Sequence, residues 1–427
     1  QSANAYLNWS PKLGDDHTFK ALAGWNIEKQ KYETLTIKRE GFVTASKPSF
    51  GLMNGTTTDP TVGGYIWSYV GAFFRLNYGY KGKYLAEVSG RYDGSSKFPT
   101  NSKWGFFPSA SAAWVISEEE FMKQLPMVDN LKFRIGYGLA GNQSGIDSYT
   151  TLNLVKPNGV VPVGNSAVVS LGDLRNTNPD LKWEVKHTFN TGIDVALFGN
   201  RLLLSANYYN SRTTDMLYLY NVSVPPFTYN TLLANIGSMR NWGTEIAIGI
   251  TPLKTKDMEL NINANITFQR NKLLSLSGMY NGEMLSAPEY KSLSGLDGAG
   301  FHGGYNHIVY QMVGQPLGVF YLPHSTGLES DGNGGYTYGI ADLNGGGVSL
   351  EDGEDRYVAG QAVPKTILGS NISFRYKRFD LSLQVNGAFG HKIYNGTSLT
   401  YMNMNIFPDY NVMKKAPKQN IKDQNAT

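Results

Sequence analysis

The sequence contains no cysteine in its 427 residues. A disulfide framework, a cysteine-ligated zinc site and a thiol nucleophile are therefore all excluded. Charged residues are scarce as well, at 17% of the chain, whereas a typical soluble domain carries about 25%. Lys+Arg 38 against Asp+Glu 34 leaves a net charge of +4, which is too small for a nucleic-acid-binding arm. No nucleic-acid partner is expected.

Long apolar runs are also missing. No stretch approaches the ~18 consecutive apolar residues that a membrane-spanning helix needs. The chain begins Gln1-Ser2-Ala3-Asn4, without a charged segment followed by an apolar one. A secretion signal is therefore expected to be absent or to have been lost upstream. A helical membrane protein is excluded, but one built from strands is not.

What the sequence does contain is strict two-residue alternation of apolar and polar side chains. It is clearest in residues 131–139, 259–268 and 379–389. Since successive side chains of a strand point to opposite faces, each segment predicts a strand with one apolar and one polar face. The segments run for about 9–11 residues, which is the length that crosses a bilayer when tilted. Strands of soluble sandwiches are more often ~5–6 residues long.

The connections between these segments alternate in length. Short joints at residues 81–83, 198–200 and 377–378 alternate with long loops at 93–108, 140–185, 211–241, 271–304 and 323–365. Short turns on one side and long loops on the other are typical of outer-membrane barrels. We count about fifteen candidate strands, and closing such a sheet removes its unpaired edges. The predicted fold class is all-β, a transmembrane antiparallel β-barrel whose apolar rows face outer-membrane lipid.

Two further predictions accompany this fold. In one connection, Ser117 followed by Glu120 has the spacing of a capping box and predicts a capped helical turn. The alternative to a membrane barrel is a secreted, soluble β-rich protein that binds glycans. In that protein the apolar rows would be buried between two stacked sheets.

Several motifs carry a resemblance to a known family. They are R-Y-D-G-S-S-K-F at 91–98, W-G-F-F-P-S at 104–109, Y-G-L-A-G-N-Q at 137–143 and N-P-D-L-K-W-E at 178–184. In this order they resemble the TonB-dependent outer-membrane transporters of the SusC/RagA type from Bacteroidetes.

The resemblance implies a barrel of about 22 strands with a plugged lumen. It also implies an active importer of oligosaccharides or peptides, energised through TonB and covered by a SusD-like surface lipoprotein that acts as a lid. Residues 1–427 are expected to be part of the receptor barrel, with the N-terminal plug and the final strands missing. An enzyme is not expected, since neither an H-E-x-x-H zinc motif nor a G-x-S-x-G nucleophile elbow is present.

A calcium loop is one candidate site. Asp342, Asn344 and Asp352 place oxygen ligands around Gly347, which stands at the turn position of such a loop. Gly346 occupies a position where a third oxygen ligand is usual. Two readings stay open: bound Ca²⁺ as the only cofactor, or a solvated acidic loop without one.

Aromatic residues near the long loops are the candidates for cargo binding. Flat rings pack on sugar faces or peptide side chains, and they also pack against one another within loops. The candidates are Trp183, Tyr218, Tyr229, Trp242 and Tyr290.

Overall fold

The computed structural model describes residues 1–37, 39–40, 56–57, 61–164, 166–293, 308–330, 332, 336–351, 353–402 and 411–416. Strands dominate these ranges. They are β1 Ser2–Trp9, β2 His17–Thr36, β3 Arg39–Glu40, β4 Thr56–Thr57, β5 Thr61–Tyr80, β6 Tyr84–Ser95, β7 Trp104–Val115, β8 Val128–Asn142, β9 Val155–Val163, β10 Ser166–Asp173, β11 Glu184–Leu197, β12 Leu202–Asn221, β13 Thr231–Lys254, β14 Met258–Ser275, β15 Ser277–Tyr280, β16 Glu283–Ser286, β17 Tyr290–Ser292, β18 Val309–Met312, β19 Val319–Pro323, β20 Ser325–Ser330, β21 Tyr336–Ile340, β22 Arg356–Gln361, β23 Thr366–Tyr376 and β24 Phe379–Phe389.

Helical structure is limited to short elements in the described ranges. They are two 3₁₀ helices, Ile116–Glu118 and Glu120–Gln124, and the α-helix α1, Gly396–Met402. Within the same ranges, no helix has both the length and the apolarity to cross a membrane.

In the part of the chain that the structure describes, twelve strands form one large sheet, in the order β1-β2-β5-β6-β7-β8-β11-β12-β13-β14-β23-β24. The described pairs β1–β2, β2–β5, β5–β6, β13–β14, β14–β23 and β23–β24 are all antiparallel. These twelve lie in the described residues, and the sequence predicts about fifteen strands for the whole chain. The remaining strands belong to the long loops and pair among themselves in small separate sheets of two or four strands.

The register confirms the alternation. Ile262 of β14 lies opposite Ile250 of β13 and Ile372 of β23, and Ile372 lies opposite Leu383 of β24. One residue further along β14, Asn263 pairs with Asn371. The apolar row is not fully covered by a second sheet, because Ile250, Ile262 and Ile372 are half-buried and Leu383 is 52% exposed. Such a row suits hydrocarbon better than water.

The chain comprises two compact units. Unit 1 contains residues 1–112, 137–186 and 215–235, and its core packs Phe98, Phe107, Ile146, Leu181 and Trp183 together. The remaining residues form unit 2. Its long-loop segment builds the four-stranded sheet β17-β18-β19-β22, whose apolar residues make two small clusters.

The helical turn predicted at Ser117 is present as two 3₁₀ helices, but the predicted side-chain cap is wrong. The two 3₁₀ helices are separated by Glu119, whose extended backbone (φ −77°, ψ 148°) interrupts a continuous helix. No side chain caps either 3₁₀ helix. Ser117 instead donates its hydroxyl to Asn130 Oδ1 at 3.5 Å, so the hydroxyl that the motif assigns to a cap bonds across the connection.

Candidate functional site

The polar face of unit 2 holds a cavity of about 540 Å³. Its lining includes six side-chain amides. One is Asn130, and the five on β14, β23 and β24 are here called the amide face: Asn263, Asn265, Asn371, Gln384 and Asn386. Register places them side by side, with Asn263 opposite Asn371 and Asn371 opposite Gln384. Gly249 and Gly369 add small residues to the lining. Since each amide offers both donors and acceptors, this surface can bond sugar hydroxyls or peptide amides.

A charged cluster lies at the edge of the same cavity. Arg134 donates from Nε and Nη2 to the two carboxylate oxygens of Asp194, at 2.8 and 2.9 Å. Lys132 Nζ is 3.3 Å from Asp194, and Ser205 donates to it at 2.8 Å. Arg134 Nη2 also donates to Asn207 at 2.7 Å. Two cations against one carboxylate leave this rim net positive.

The R-Y-D motif residues of unit 1 join neighbouring strands. Arg91 donates to both carboxylate oxygens of Asp93, at 3.2 and 3.0 Å. It also reaches Tyr69 Oη at 2.9 Å and Asn26 Oδ1 at 3.2 Å. Gly71 leaves room for this network, because an added Cβ there would sit 2.4 Å from Asp93 Oδ1. These contacts give the motif a structural role across β2, β5 and β6.

Two of the five predicted aromatic ligands are buried. Trp183 is only 6% exposed, with ring centroids 4.6 Å from Phe98 and 5.5 Å from Phe107. Tyr218 is also buried and lies 5.1 Å from Tyr220 in an edge-to-face pair. Both rings pack against neighbouring rings, and cargo contact by either of them stays a prediction.

The other three aromatic candidates are half-buried, and each contacts a neighbouring group. Tyr229 donates its hydroxyl to the backbone carbonyl of Asp173. The Trp242 ring lies 5.0 Å from the guanidinium of Arg240. Tyr290 stacks on Tyr321 at 5.2 Å. The structure does not bring the five candidates together, and cargo contact by these three stays a prediction.

In the predicted calcium loop, backbone N–H groups of the loop itself donate to the Asp342 carboxylate. Asp342 accepts from the N–H of Gly345 at 2.5 Å and of Gly347 at 3.0 Å, and the Asn344 amide donates to Glu354. Among the described residues, no group of three acidic or histidine side chains is placed to share a metal ion. Asp352 lies outside the described residues. The calcium prediction therefore depends on the sequence pattern alone.

Sequence analysis missed the central role of Asp355. Its carboxylate is fully buried and accepts from the N–H groups of Leu343 at 2.5 Å, Ser349 at 2.8 Å and Asn344 at 3.4 Å. These bonds, that of Ser349 foremost, lower the pKa of the Asp355 carboxyl because they stabilise its charged form.

The neighbouring Arg356 was missed as well. It is buried between the rings of Tyr310 and Tyr321, 4.7 and 4.8 Å from their centroids. It donates to Tyr310 Oη at 2.8 Å and to the Tyr321 carbonyl at 3.0 Å. Its partners are 46 and 35 residues away in sequence, so the only sequence signal was an Asp-Arg pair at the start of a strand.

Comparisons with known proteins agree with this architecture. The family described as "TonB dependent receptor-like, beta-barrel" matches residues 1–411. TonB-dependent receptor P26 of Formosa agariphila is 32% identical over 409 residues, which cover 91% of this chain and 39% of that protein. TonB-dependent receptor SusC of Bacteroides thetaiotaomicron is 29% identical over 329 residues, covering 76% of this chain and 31% of SusC.

A solved structure shows the same fold. The RagAB peptide transporter superposes with a TM-score of 0.76 at 21% identity, over 100% of this chain and 46% of the matched one. The chain thus spans less than half the length of the relatives that it matches. With a family match across nearly all its residues and an exposed apolar face on its alternating strands, the chain belongs to the TonB-dependent receptor-like β-barrel family.

Proposed function

We propose that the protein containing this chain imports oligosaccharides or peptides across the outer membrane, energised through TonB and covered by a SusD-like lipoprotein lid. The family consists of outer-membrane β-barrels, so this chain is an outer-membrane protein of the SusC/RagA type. The observation that carries the proposal is the two-sided sheet. One face presents exposed apolar rows, and the other presents the amide face and its cavity.

The two faces have separate roles in this proposal. The apolar rows contact lipid, and the amide face lines the aqueous lumen through which cargo passes. Amides bind uncharged polar groups, which suits both sugar hydroxyls and peptide bonds. RagAB is a peptide transporter by name, and SusC and P26 are TonB-dependent receptors by name. None of these names describes an enzyme. Membership in an outer-membrane family also argues against the alternative of a secreted glycan-binding protein.

Single cysteines test the two-sided sheet, because this chain has none of its own. Asn371→Cys and Ile372→Cys form a matched pair of variants. They are adjacent in one strand, so their side chains point to opposite faces of the sheet. In the full-length receptor in intact cells or vesicles, a charged water-soluble maleimide should label Asn371→Cys and leave Ile372→Cys unlabelled. Labelling of Ile372→Cys at the same rate would show that the apolar row faces water, contrary to the proposal.

Transport is tested with labelled cargo in the native host. Deleting the gene should abolish uptake of either fluorescent oligosaccharides or fluorescent peptides, and complementation should restore it. A protonophore or loss of TonB should stop the same uptake while surface binding persists. Unchanged uptake of both cargo classes in the deletion strain would overturn the proposed function.

A further inference from the structure

Two tight hairpins of the large sheet carry the same sequence pattern at their tips. Y-K-G-K-Y at 80–84 joins β5 to β6, and Y-K-R-F at 376–379 joins β23 to β24. We call these two segments the Y-K turns. The aromatic residues at the two ends of each turn stand opposite each other in the ladder, Tyr80 with Tyr84 and Tyr376 with Phe379. Each turn therefore places two cations between a pair of aromatic residues.

The first lysine of each Y-K turn has a left-handed backbone, with φ +53° at Lys81 and φ +50° at Lys377. The Lys81 N–H donates to the carbonyl of Asp16 at 2.6 Å, and the Lys377 N–H donates to that of Asp257 at 2.7 Å. These aspartates directly precede β2 and β14, the strands that pair with β5 and β23. Glycine is the default residue for a left-handed backbone. Lysine at both positions therefore favours a use for its side chain.

The two lysine ammonium groups lie on the apolar side of the sheet. Lys81 Nζ is 5.4 Å from the ring centroid of Tyr80, and Lys377 Nζ is 5.5 Å from that of Tyr376. At two-residue spacing, Tyr80 continues the apolar row of β5, and Tyr376 continues the row of β23 that includes Ile372. A cation within about 6 Å of a ring centroid is attracted to that ring. Each ring thus holds a positive charge beside the lipid-facing row rather than above the polar face.

The exposed ring of the first Y-K turn is not an effect of a missing neighbouring strand. The β5–β6 hairpin has β2 on one side and β7 on the other, and Tyr84 is still 48% exposed. Tyr84 stands at the end of a row whose other members contact hydrocarbon in a membrane barrel. Aromatic rings in that position form the girdles at the membrane–water interface.

Each Y-K turn keeps a net positive charge. Lys81 Nζ lies 3.6 Å from Asp16 Oδ2, and both side chains are about half exposed, so this ion pair contributes little. When the aspartate that accepts the backbone bond is counted in each turn, two cations stand against one carboxylate. Asp380 follows Phe379 in β24 and therefore points to the opposite, polar face.

Cations beside aromatic rings at the end of an apolar row suit a phosphodiester at a membrane surface. Short turns of outer-membrane barrels lie on the periplasmic side, so the Y-K turns meet the headgroups of that leaflet. Clusters of Lys and Arg at a membrane surface attract anionic lipids, and ammonium and guanidinium groups donate charge-assisted hydrogen bonds to phosphate. A zwitterionic headgroup carries its own ammonium group and gains less from the same cations.

We propose that each Y-K turn binds the headgroup of an anionic phospholipid in the periplasmic leaflet. The cations hold the phosphodiester, and the aromatic rings pack against the glycerol and acyl region next to it. The inference goes beyond transport, because it depends on membership in an outer-membrane barrel family and not on the cargo, TonB or the lid.

Matched charge removals on two short turns test this proposal in the full-length receptor. Lys377→Gln with Arg378→Gln neutralises one Y-K turn. Lys254→Gln with Lys256→Gln removes the same charge from the connection between β13 and β14, where no aromatic residue flanks the lysines. Native mass spectrometry of the detergent-solubilised receptor, titrated with phosphatidylglycerol, counts the bound lipids. The Y-K variant should bind one tight lipid fewer than wild type, with affinity at that turn weakened about tenfold, and the control variant should match wild type.

The aromatic rings are tested separately from the charge. Tyr376→Leu with Phe379→Leu keeps both cations and removes the aromatic pair, so affinity for phosphatidylglycerol at this turn should fall about threefold. Heat-modifiable gel mobility establishes that each variant is folded before the titration. Unchanged affinity in the folded leucine variant would show that the rings do not position the cations for lipid, contrary to the proposal.

The remaining outcomes decide between this site and simpler explanations. Unchanged lipid binding by the Lys377→Gln, Arg378→Gln variant would overturn the proposal. An equal loss in the control variant would also overturn it, because general attraction to positive charge would then account for the binding. Equal binding of phosphatidylethanolamine by wild type would show that the turns do not select an anionic headgroup. Displacement of the lipid by soluble glycerol phosphate would assign the turns to a free phosphate compound instead of the membrane.

Discussion

At the scale of the residue, position on one face or the other decides what a side chain does. Ile262 and Asn263 are adjacent in β14, yet one pairs with Ile372 in an apolar row and the other with Asn371 in the amide face. In soluble sheets the apolar row would be fully covered, whereas here Ile262 and Ile372 are half-buried and Leu383 beside them is 52% exposed. Its stability therefore depends on hydrocarbon around it.

Ile262→Lys should destabilise the full-length barrel by about 2–4 kcal/mol near the bilayer midplane, because the ammonium group must leave water. Asn263→Lys, facing the lumen, should cost much less. Denaturant unfolding of the receptor folded into phospholipid vesicles measures both values. Equal costs for the two substitutions would contradict the assignment of faces.

The acidic loop offers a second residue-scale prediction. Asp355→Asn removes a buried carboxylate and leaves the N–H groups of Leu343 and Ser349 facing a weaker acceptor. Limited proteolysis of the full-length receptor should then cut the loop faster, whereas EDTA should leave the wild-type digestion pattern unchanged. EDTA-dependent cleavage of the wild-type loop would instead support bound calcium.

At the scale of the element, glycines on the outer face of a strand make room for rings from its neighbour. Trp104 of β7 stacks on Tyr92 of β6 at 5.1 Å, with 6° between their planes. An added Cβ at Gly94 would lie 2.5 Å from the Trp104 ring. The ring thus lies closely over the backbone of the adjacent strand, a cross-strand contact of the kind that stabilises paired strands.

Gly94→Ala should destabilise the folded receptor by roughly 1–3 kcal/mol, since the indole must be pushed off its site. The cost should shrink in the Trp104→Ala background, where the ring is gone. A double-mutant cycle on unfolding free energies gives the coupling directly. If the two costs simply add, the close fit does not restrain the sheet.

At the scale of the whole molecule, the sheet of twelve described strands and the family match concern a chain less than half as long as its relatives. Closure of the barrel is a property of the longer receptor. Strand pairing resists detergent once edges are closed, because no unpaired backbone remains for solvent to enter.

The full-length receptor should therefore migrate differently on a detergent gel before and after boiling, and it should require detergent to stay in solution. A soluble β protein would show one mobility under both conditions. The Ile262→Lys variant should lower the fraction of the unboiled, folded form, while Asn263→Lys should leave it near wild type.

The sequence alone was sufficient for the alternating strands of the large sheet, the direction of their faces and the family, but not for the short strands within the long loops. These features are periodic or local: alternation places Ile262 and Asn263 on opposite sides whatever lies beyond the strand. The short and long connections likewise follow from where the alternation stops. The motifs at 91–98 and 178–184, which carried the family resemblance, are also local because each is one contiguous run of residues.

Only the tertiary structure decided which loop residues are buried and which are presented. In the sequence, Trp183 and Tyr229 are both aromatic residues near long loops. In the structure, Trp183 lies in the core of unit 1, whereas Tyr229 donates to the carbonyl of Asp173 at the end of β10. The hairpin of β9 and β10 likewise gathers Pro157 and Val160 on one face only because a bulge opposite Ser170 shifts the pairing by one residue. Contacts between residues distant in the chain depend on register and packing, and alternation within one strand does not encode them.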